Sequence, residues 1–332
     1  ANSPAATGGG DIVITEIMYN PQKWRYMETL NPFWIIPNAP YYWQDGDDPE
    51  GEYIELYNRS AENIDLTGWQ LLDEEGIVYE FAGQVLSAHS YLAVCSNAAA
   101  VATHYGIANT VGNFAVSGDR LSNGGEWISL KNNLGFLVDT VRYRDEPPWP
   151  IGPDQTGQSL ECLDPDSDNN QPGNWRTCRN TFNPVTMADH FPLNPSLGDE
   201  YFPPLGTPGS ANSVSSTGLP PFLDRGKMVH SPLTPTSLDP VTVTVKVTSR
   251  ETIAAVTLHY ETFRKPYQTP TQVQSLAMYD DGSHDDGLAG DGVYGAAIPA
   301  LNTQTLVRYR VTATDSSARS WTWPDEGEPN PN

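Results

Sequence analysis

The sequence is short of positive charge: its 332 residues include 18 lysines and arginines against 41 aspartates and glutamates, a formal net charge of −23 at pH 7. Because a phosphate backbone is itself densely negative, this balance excludes nucleic acid as an expected partner. No apolar run approaches the roughly 18 residues that a membrane-spanning helix needs. We therefore predict no membrane span in this chain.

Recognisable catalytic signatures are also missing. The six histidines are dispersed and form no metalloprotease motif. No serine or cysteine lies in a nucleophile elbow or in the context of a catalytic triad. A glycine-rich phosphate loop with its lysine is absent as well. We therefore predict that the chain is not an enzyme and requires no cofactor.

Cysteine is scarce, with three residues in the chain. Cys95 ends an apolar run and is predicted to be a buried free thiol. Cys162 and Cys178 flank an acidic, turn-rich segment, and we predict a disulfide between them. Such a bridge would close a loop of roughly 15 residues and contribute about 3 kcal/mol. Three reduced cysteines in an intracellular protein remain the alternative, because sequence alone does not decide connectivity.

Glycine and proline, in contrast, are abundant, and they favour turns over helices. Between the turns lie short runs rich in β-branched and aromatic residues, several of them alternating with period two. About seven such runs predict an all-β, immunoglobulin-like sandwich, and one short helix is expected from Asn97 to Tyr105. The predicted strands cover residues 12–19, 52–57, 69–72, 77–81, 91–95, 127–130 and 137–143.

A second set of strand patterns predicts a second sandwich in tandem with the first. Alternation of apolar and polar residues recurs over residues 241–247, 253–260 and 306–313. The Gly-, Ser- and Pro-rich stretch before them has little to bury and predicts exposed chain. The predicted parts are a flexible tail at 1–11, a first sandwich at 12–205 with insertions at 22–50 and 177–205, a linker at 206–222, a second sandwich at 223–323 and an acidic Pro-rich tail at 324–332.

Several motifs in the first predicted sandwich resemble the lamin tail domain family in its bacterial extracellular form. The resemblance implies an immunoglobulin-like sandwich, and the second sandwich resembles the immunoglobulin-like or fibronectin type III-like modules that follow such domains in bacterial surface proteins. The motifs are Ile14–Pro21, Gly51–Asn58, Ile64–Leu71, Gly157–Glu161, Asn174–Arg176 and Gly206–Gly209. Together they span about two thirds of the chain. A lamin role in the nucleus is disfavoured by the acidity and by the lack of a heptad rod.

The insertion at 22–50 departs from this family by its length and is dense in aromatic residues. Long loops of this kind are typically functional, and aromatic rings stack on sugars or fill protein interfaces. We favour the interpretation that the rings cover the sandwich and order the loop, and contact with a ligand is the alternative. The candidate contact residues for a protein or glycan are Trp24, Tyr26, Trp34, Tyr41, Tyr42 and Trp43.

Two aspartate-rich stretches are candidate calcium sites, because Ca²⁺ prefers carboxylate and carbonyl oxygens. In the second sandwich the candidate ligands are Asp281, Asp285, Asp286 and Asp291, in a Gly-rich stretch that also fits a structured double turn. In the first they are Asp164, Asp166 and Asp168, whose spacing fails the EF-hand pattern. We favour turns at both places, and Ca²⁺ is the alternative.

The sequence thus predicts a non-enzymatic binding or adhesion module of a bacterial extracellular or cell-surface protein. A start that looks like a processed terminus, Ala1–Gly10, agrees with export. The expected partner is a protein or glycan at the cell surface, and self-association is also open. Two alternatives remain: a self-assembling subunit of a surface layer or filament, and an accessory region of a larger secreted enzyme.

Overall fold

The computed structural model describes residues 10–26, 42–47, 49–74, 76, 78–114, 120–154, 157–179, 205–263 and 272–324. These residues form two compact units, which divide between Ser215 and Ser216. Nearly all regular structure is β, as the turn-rich composition predicts. In the described part of the chain, no helix is long and apolar enough to cross a membrane.

The first unit contains fourteen described strands and one α-helix, more and shorter strands than the sequence patterns predict. Short 3₁₀ turns lie at Pro49–Gly51 and Pro172–Asn174. The elements are β1 (Ile12–Met18), β2 (Gln22–Tyr26), β3 (Tyr42–Asp47), β4 (Tyr53–Asn58), β5 (Ile64–Asp65), β6 (Gln70–Leu72), β7 (Val78–Glu80), β8 (Val85–Leu86), β9 (Tyr91–Cys95), α1 (Ala98–Tyr105), β10 (Thr110–Gly112), β11 (Trp127–Lys131), β12 (Leu137–Arg142), β13 (Leu160–Cys162) and β14 (Trp175–Thr177).

Two sheets of this unit face each other across one core. The first has the strand order β10-β9-β4-β1-β13-β14 and the second β12-β11-β6-β7, with the pairs β2–β3 and β5–β8 beside them. Alternate residues of each strand point inward, so that Ile54 and Leu56 of β4 meet Ile128 and Leu130 of β11 in the core. The immunoglobulin-like sandwich expected from the sequence is thereby confirmed.

Helix α1 has clear start and stop signals, and the helix predicted from Asn97 to Tyr105 is confirmed. The Asn97 side chain caps the first turn by accepting a hydrogen bond from the Ala100 N–H at 3.1 Å. Gly106 ends the helix in the left-handed region, with a φ of 65° that suits glycine. Val101 points into a small cluster with Met18, Tyr53 and Cys95. The outer face of the six-stranded sheet is therefore covered as well as its inner face.

The second unit is a smaller sandwich with the sheet orders β15-β16-β19 and β18-β17-β20-β21 in the described residues. Its core joins Val243 and Val245 of the first sheet with Leu258 and Val311 of the second. Tandem sandwiches are confirmed. The strands are β15 (Phe222–Ser231), β16 (Val241–Thr248), β17 (Ile253–Phe263), β18 (Gln274–Ala277), β19 (Val293–Ile298), β20 (Leu306–Asp315) and β21 (Ser320–Trp323).

The stretch predicted as an exposed linker, 206–222, is exposed at Ser210, Ala211 and Ser215 but packs on the first unit at other positions. Pro208, Asn212 and Val214 are buried against the first unit. The Asn212 Nδ2 donates to the carbonyl oxygens of Thr15 and Cys162, each at 2.8 Å. The composition predicted exposure because this stretch has few apolar residues. Its backbone N–H and hydroxyl groups, however, donate hydrogen bonds to a polar patch on the sheet. We call residues 206–214 the strap.

Candidate functional site

Three glutamates form a row across the outer face of the six-stranded sheet. The register places Glu16 of β1 opposite Glu55 of β4 on one side and opposite Glu161 of β13 on the other. Each of the three is completely buried. Side-chain alternation predicts an outward direction for all three, and outward positions of a half-buried sheet normally meet water. Here the strap covers them instead.

The strap supplies the hydrogen-bond donors that these carboxylates need. The Thr207 N–H donates to Glu16 Oε1 at 2.8 Å, and the Thr207 hydroxyl donates to Glu161 Oε1 at 2.8 Å. The Gly209 N–H donates to Glu55 Oε2 at 2.7 Å. A buried carboxylate is tolerated only with such partners. The three glutamates therefore hold the strap on the sheet.

Burial and mutual repulsion favour the neutral forms of Glu16 and Glu55. Loss of hydration, followed by the neighbouring charge of Glu161, raises the pKa of Glu16 from 4.5 to about 7. Loss of hydration and the charge of Glu16 raise the pKa of Glu55 as well. The Tyr53 hydroxyl donates to Glu16 Oε1 at 2.7 Å, and burial raises the pKa of this phenol too. Glu16 is therefore partly protonated near neutral pH.

Gly206 lies at the closest approach of the strap to this row, and its substitution tests the contact. A Cβ at this position would overlap the Tyr53 hydroxyl and lie 2.8 Å from Glu16 Oε1. We expect Gly206→Ala to destabilise the first unit by about 1–3 kcal/mol, the usual cost of an extra methyl group in a packed site. The measurement is thermal unfolding together with hydrogen exchange of the amides in 206–214.

Gly124→Ala is the matched control, because a Cβ there meets no atom within 4 Å. A Gly206→Ala variant as stable as Gly124→Ala, with unchanged exchange in the strap, would contradict the packing described here.

The aspartate-rich stretch of the second unit is a double turn built from carboxylates that accept backbone N–H groups. Asp286 Oδ2 accepts from the N–H of Asp281 and Gly282 at 2.7 and 2.8 Å, and its Oδ1 accepts from His284 at 2.8 Å. Asp280 accepts from Gly290 and Gly292, both at 2.8 Å. The hydrogen bonds that Asp286 accepts lower its pKa to about 2, and the bond from the Gly282 N–H has the largest effect.

The structure brings together only part of the predicted calcium ligands in this turn. Asp281 and Asp286 lie with His284 in a group whose potential ligand atoms are all within 4.8 Å of one another. Asp285 points elsewhere and accepts a hydrogen bond from the Thr242 hydroxyl at 3.0 Å. Asp291 accepts from the Val293 N–H at 2.8 Å and stands outside the group.

The predicted ligands of the first sandwich do not converge. Asp164 Oδ2 accepts from the Ser167 hydroxyl at 2.8 Å, while Asp168 Oδ1 accepts from the Asn170 N–H at 2.9 Å. Asp166 is exposed and lies 3.6 Å from the guanidinium of Arg59. The three carboxylates therefore have separate partners and do not form one site.

Two family comparisons match separate parts of the chain. Residues 5–145 match the family described as Lamin Tail Domain. Residues 262–322 match the family described as Conditioned medium factor 2nd Ig-like domain. The chain carries a lamin tail domain followed by an immunoglobulin-like module. No curated protein matches the chain.

The sandwich that contains the matched residues extends beyond them. Strands β13 and β14 and the strap all follow residue 145, yet β13 pairs directly with β1 through Ile17 and Leu160. Glu161 and the strap thus complete a site whose other two glutamates lie inside the match. These glutamates lie within the sequence motifs described above, but the motifs predicted no function for them. The available signal was a glutamate inside each of three apolar strands, followed later in the chain by Gly206–Gly209.

The predicted disulfide is wrong, since Cys162 and Cys178 are both buried and their sulfurs are not joined to each other. Strand pairing places Cys162 opposite Trp175, and the Cys178 N–H donates to Ser159. The two cysteines therefore stand at opposite ends of a hairpin, about 10 Å apart at 3.3 Å per residue. That exceeds the Cα separation of about 7 Å that a disulfide spans.

Side-chain amides hold this segment of the lamin tail domain in place of a disulfide. The Asn174 amide donates to the Asp164 carbonyl oxygen and accepts from the Asp164 N–H, both at 2.9 Å. The Trp175 indole donates to the carbonyl oxygen of Asn169 at 2.6 Å. The third cysteine, Cys95, is a buried free thiol as predicted, and burial raises its pKa to about 12.

The aromatic insertion of the lamin tail domain is described in part. Its two ends form the antiparallel pair β2–β3, with Trp24 opposite Gln44, Trp43 opposite Arg25 and Tyr26 opposite Tyr42. Trp34 and Tyr41 lie outside the described residues, as does most of the predicted insertion at 177–205. Contact of these six aromatic residues with a ligand remains a prediction.

A groove of about 910 Å³ opens on the immunoglobulin-like module. Its walls are apolar and aromatic, and its rim consists of hydroxyl and amide side chains from 302–305. Asp239 is the acidic residue among the described residues that line the groove. The Asp239 carboxylate is already engaged, since its Oδ2 accepts from the Thr236 N–H at 2.9 Å and from the Thr236 hydroxyl. The apolar walls include Met228, Val241, Ile298, Leu301, Val307, Tyr309 and Trp323.

Exposed apolar side chains surround this groove. Leu306 lines it and is 54% exposed, and Leu238, between two lining residues, is 85% exposed. Clustered apolar exposure beside a concave surface typically marks an interaction site. The groove was not predicted from the sequence. The alternation in β20 indicates which residues point inward, and inward residues are expected to lie in the core rather than along a groove.

Proposed function

We propose that the chain is a non-enzymatic binding or adhesion module of a bacterial extracellular or cell-surface protein. Lamin tail and immunoglobulin-like domains are typically non-catalytic, and immunoglobulin-like domains are generally binding or structural modules. The observation that carries the proposal is the groove of the immunoglobulin-like module, with its aromatic walls and uncharged rim. The part of the partner that enters the groove is uncharged, and the partner is a protein or a glycan.

The groove makes this proposal testable with one pair of variants. Leu306→Arg places a charge and a long side chain at the groove, whereas Leu288→Arg makes the same change at a 76% exposed leucine outside it. The measurement is binding to a glycan panel and to immobilised cell-surface protein fractions. We expect Leu306→Arg to weaken binding by at least about tenfold, the effect of 1.4 kcal/mol, and Leu288→Arg to bind as the original chain does. Equal binding by the original chain and both variants would show that the groove is not the binding site.

A self-assembling subunit is the second candidate, supported by an apolar hairpin turn on the lamin tail domain. Leu134, Phe136 and Leu137 are 74%, 66% and 58% exposed at the turn between β11 and β12. Asn132 Oδ1 accepts from the N–H of Leu134 and Phe136, each at 3.0 Å, and so holds the turn in shape. Light scattering over a range of protein concentrations tests this candidate, because assembly predicts growth in particle size that Phe136→Ser abolishes.

Calcium binding at the aspartate turns, and a place as an accessory region of a larger secreted enzyme, remain predictions. The carboxylates of the double turn accept backbone N–H groups, so the turn has its partners without an ion. Calorimetry in Ca²⁺ and in EDTA tests the calcium prediction directly. A ligand that binds only the folded state raises the melting temperature, and EDTA reverses the rise.

A further inference from the structure

Strand β20 of the immunoglobulin-like module is longer than its partner at the sheet edge. On one side it pairs with β17 over its whole length, from Leu306 opposite Phe263 to Asp315 opposite Ile253. On the other side β21 pairs only with residues 311–314. Among the described residues, no strand pairs with 306–310 on that side.

This open edge is a template for another strand. Successive residues of a strand direct their N–H and C=O groups to opposite sides, so part of the backbone polar groups of 306–310 faces away from β17. The open length is five residues, about 17 Å at 3.4 Å per residue. Unpaired edges of this kind accept strands from other chains unless they are covered.

The groove lies beside the open edge and gives an added strand an apolar surface to cover. Val307 and Tyr309 of β20 line it, together with Trp323 where β21 ends. Met228 of β15 and Val241 of β16 line it from the other sheet. A strand that continues the line of β21 would therefore direct every second side chain into the groove.

The other face of the open edge carries two exposed cations. Arg308 and Arg310 alternate with the groove-lining residues and lie on the outer face of β20. Across the sheet they stand opposite Glu261 and His259 of β17. Opposite charges in cross-strand positions stabilise a pair of strands. Although the chain is acidic overall, charges beyond about 10 Å are largely screened at moderate salt, and at this edge the two arginines outnumber the one acidic neighbour, Glu261.

We propose that residues 306–310 bind an extended strand of a partner protein, antiparallel to β20, with apolar side chains in the groove and acidic side chains opposite Arg308 and Arg310. This proposal rests on the binding function proposed above and names the chemistry of the partner. Backbone hydrogen bonds supply a general contribution to affinity, and the groove and the arginines supply the specificity.

Two capped peptides test the proposal, one of alternating valine and glutamate and one of alternating valine and lysine. Hydrogen exchange of the full chain is followed by mass spectrometry with each peptide. We expect the glutamate peptide to slow exchange within 306–310 and the lysine peptide to bind at least about tenfold more weakly. A glutamate peptide with proline at its centre serves as a control, because proline cannot donate to the ladder.

Charge reversal provides the second arm. The double variant Arg308→Glu, Arg310→Glu is expected to prefer the lysine peptide, while Arg250→Glu, at the turn before β17, keeps the original preference. Both positions of the double variant are exposed, so the fold is retained. Absence of protection by both peptides, or equal protection by both, overturns the proposal.

Other occupants give different results. Protection of 306–310 that grows with the concentration of the chain alone would overturn the proposal in favour of a second copy. Glycan binding that Leu306→Arg removes, without any protection of the 306–310 amides, would overturn the strand proposal and leave the binding function standing.

Discussion

Replacing Glu16 by glutamine is expected to stabilise the lamin tail domain at pH 8 and to flatten its dependence on pH. Glutamine has nearly the shape of the protonated acid and keeps an oxygen that accepts from the Tyr53 hydroxyl and the Thr207 N–H. It removes the charge that Glu16 acquires beside Glu55 and Glu161. The variant therefore keeps position 16 neutral at every pH.

The sign of the effect follows from the raised pKa. A carboxyl whose pKa is higher in the folded than in the unfolded state stabilises the fold at low pH, and this stability is lost as pH rises. For Glu16 the contribution is complete below pH 4.5 and is lost as pH rises through about 7. The difference of about 2.5 units corresponds to about 3 kcal/mol. Glu55, whose pKa is also raised, adds to the loss in the same direction.

Other ionisable groups around the row set the conditions of the measurement. Arg176 of β14 stands opposite Glu161 at the end of the row and is the neighbouring cation. Tyr53 and Tyr105 face Glu16 from β4 and α1, and burial raises the pKa of both phenols above the range tested. The pH range from 5 to 8 therefore reports mainly on the glutamates.

Calorimetry at pH 5 and at pH 8 provides the measurement. The original chain is expected to lose stability in its lamin tail transition between these values, whereas Glu16→Gln keeps most of it. Glu62→Gln, a change at an exposed glutamate, is the control and should follow the original chain. A Glu16→Gln variant that is less stable than the original chain at pH 8 would show that the row is ionised and stabilised by its donors.

Replacing Asp286 by alanine is expected to unfold the double turn and lower the melting temperature of the immunoglobulin-like module by several degrees. The side chain is 1% exposed and accepts three backbone N–H groups. Removal of the carboxylate leaves those donors without a partner inside the turn, which costs more than the loss of an average hydrogen bond. Hydrogen exchange of residues 281–284 should rise together with the loss of stability.

Asp285→Gly is the control for this substitution. Asp285 is exposed and has a φ of 56°, a conformation that glycine adopts without strain. Its loss removes a single exposed bond to Thr242. Both variants are measured in Ca²⁺ and in EDTA. If Asp285→Gly lowered the melting temperature as much as Asp286→Ala, the larger contribution of Asp286 to the stability of the turn would be contradicted.

The two modules should respond to pH in opposite directions. The pKa of Asp286 is lowered to about 2, so its contribution is present above 3.8 and is lost as pH falls through about 2. The lamin tail domain instead loses stability as pH rises towards neutrality. If the two modules unfold in separate calorimetric transitions, the pH dependence of one module can be compared with that of the other in the same sample.

Local pattern was sufficient for the longer strands, the helix and the tandem arrangement. Period-two alternation in Val241–Thr248 and the asparagine and glycine that bound α1 act over a few residues, so they are visible in the sequence. Tertiary neighbours decided the points at which the predictions were wrong. The register of β13 with β14 separates Cys162 from Cys178, and donor groups in 206–214 bind a polar patch that composition does not reveal.

The glutamate row shows the physical reason for this division. The alternation of Ile54, Glu55 and Leu56 determines that the glutamate points away from the inner core. Whether that outer face meets water depends on a segment about 150 residues later in the chain, where the Gly209 N–H donates to Glu55. The sequence by itself determined the direction of each side chain, and only the tertiary structure decided its surroundings and therefore its pKa.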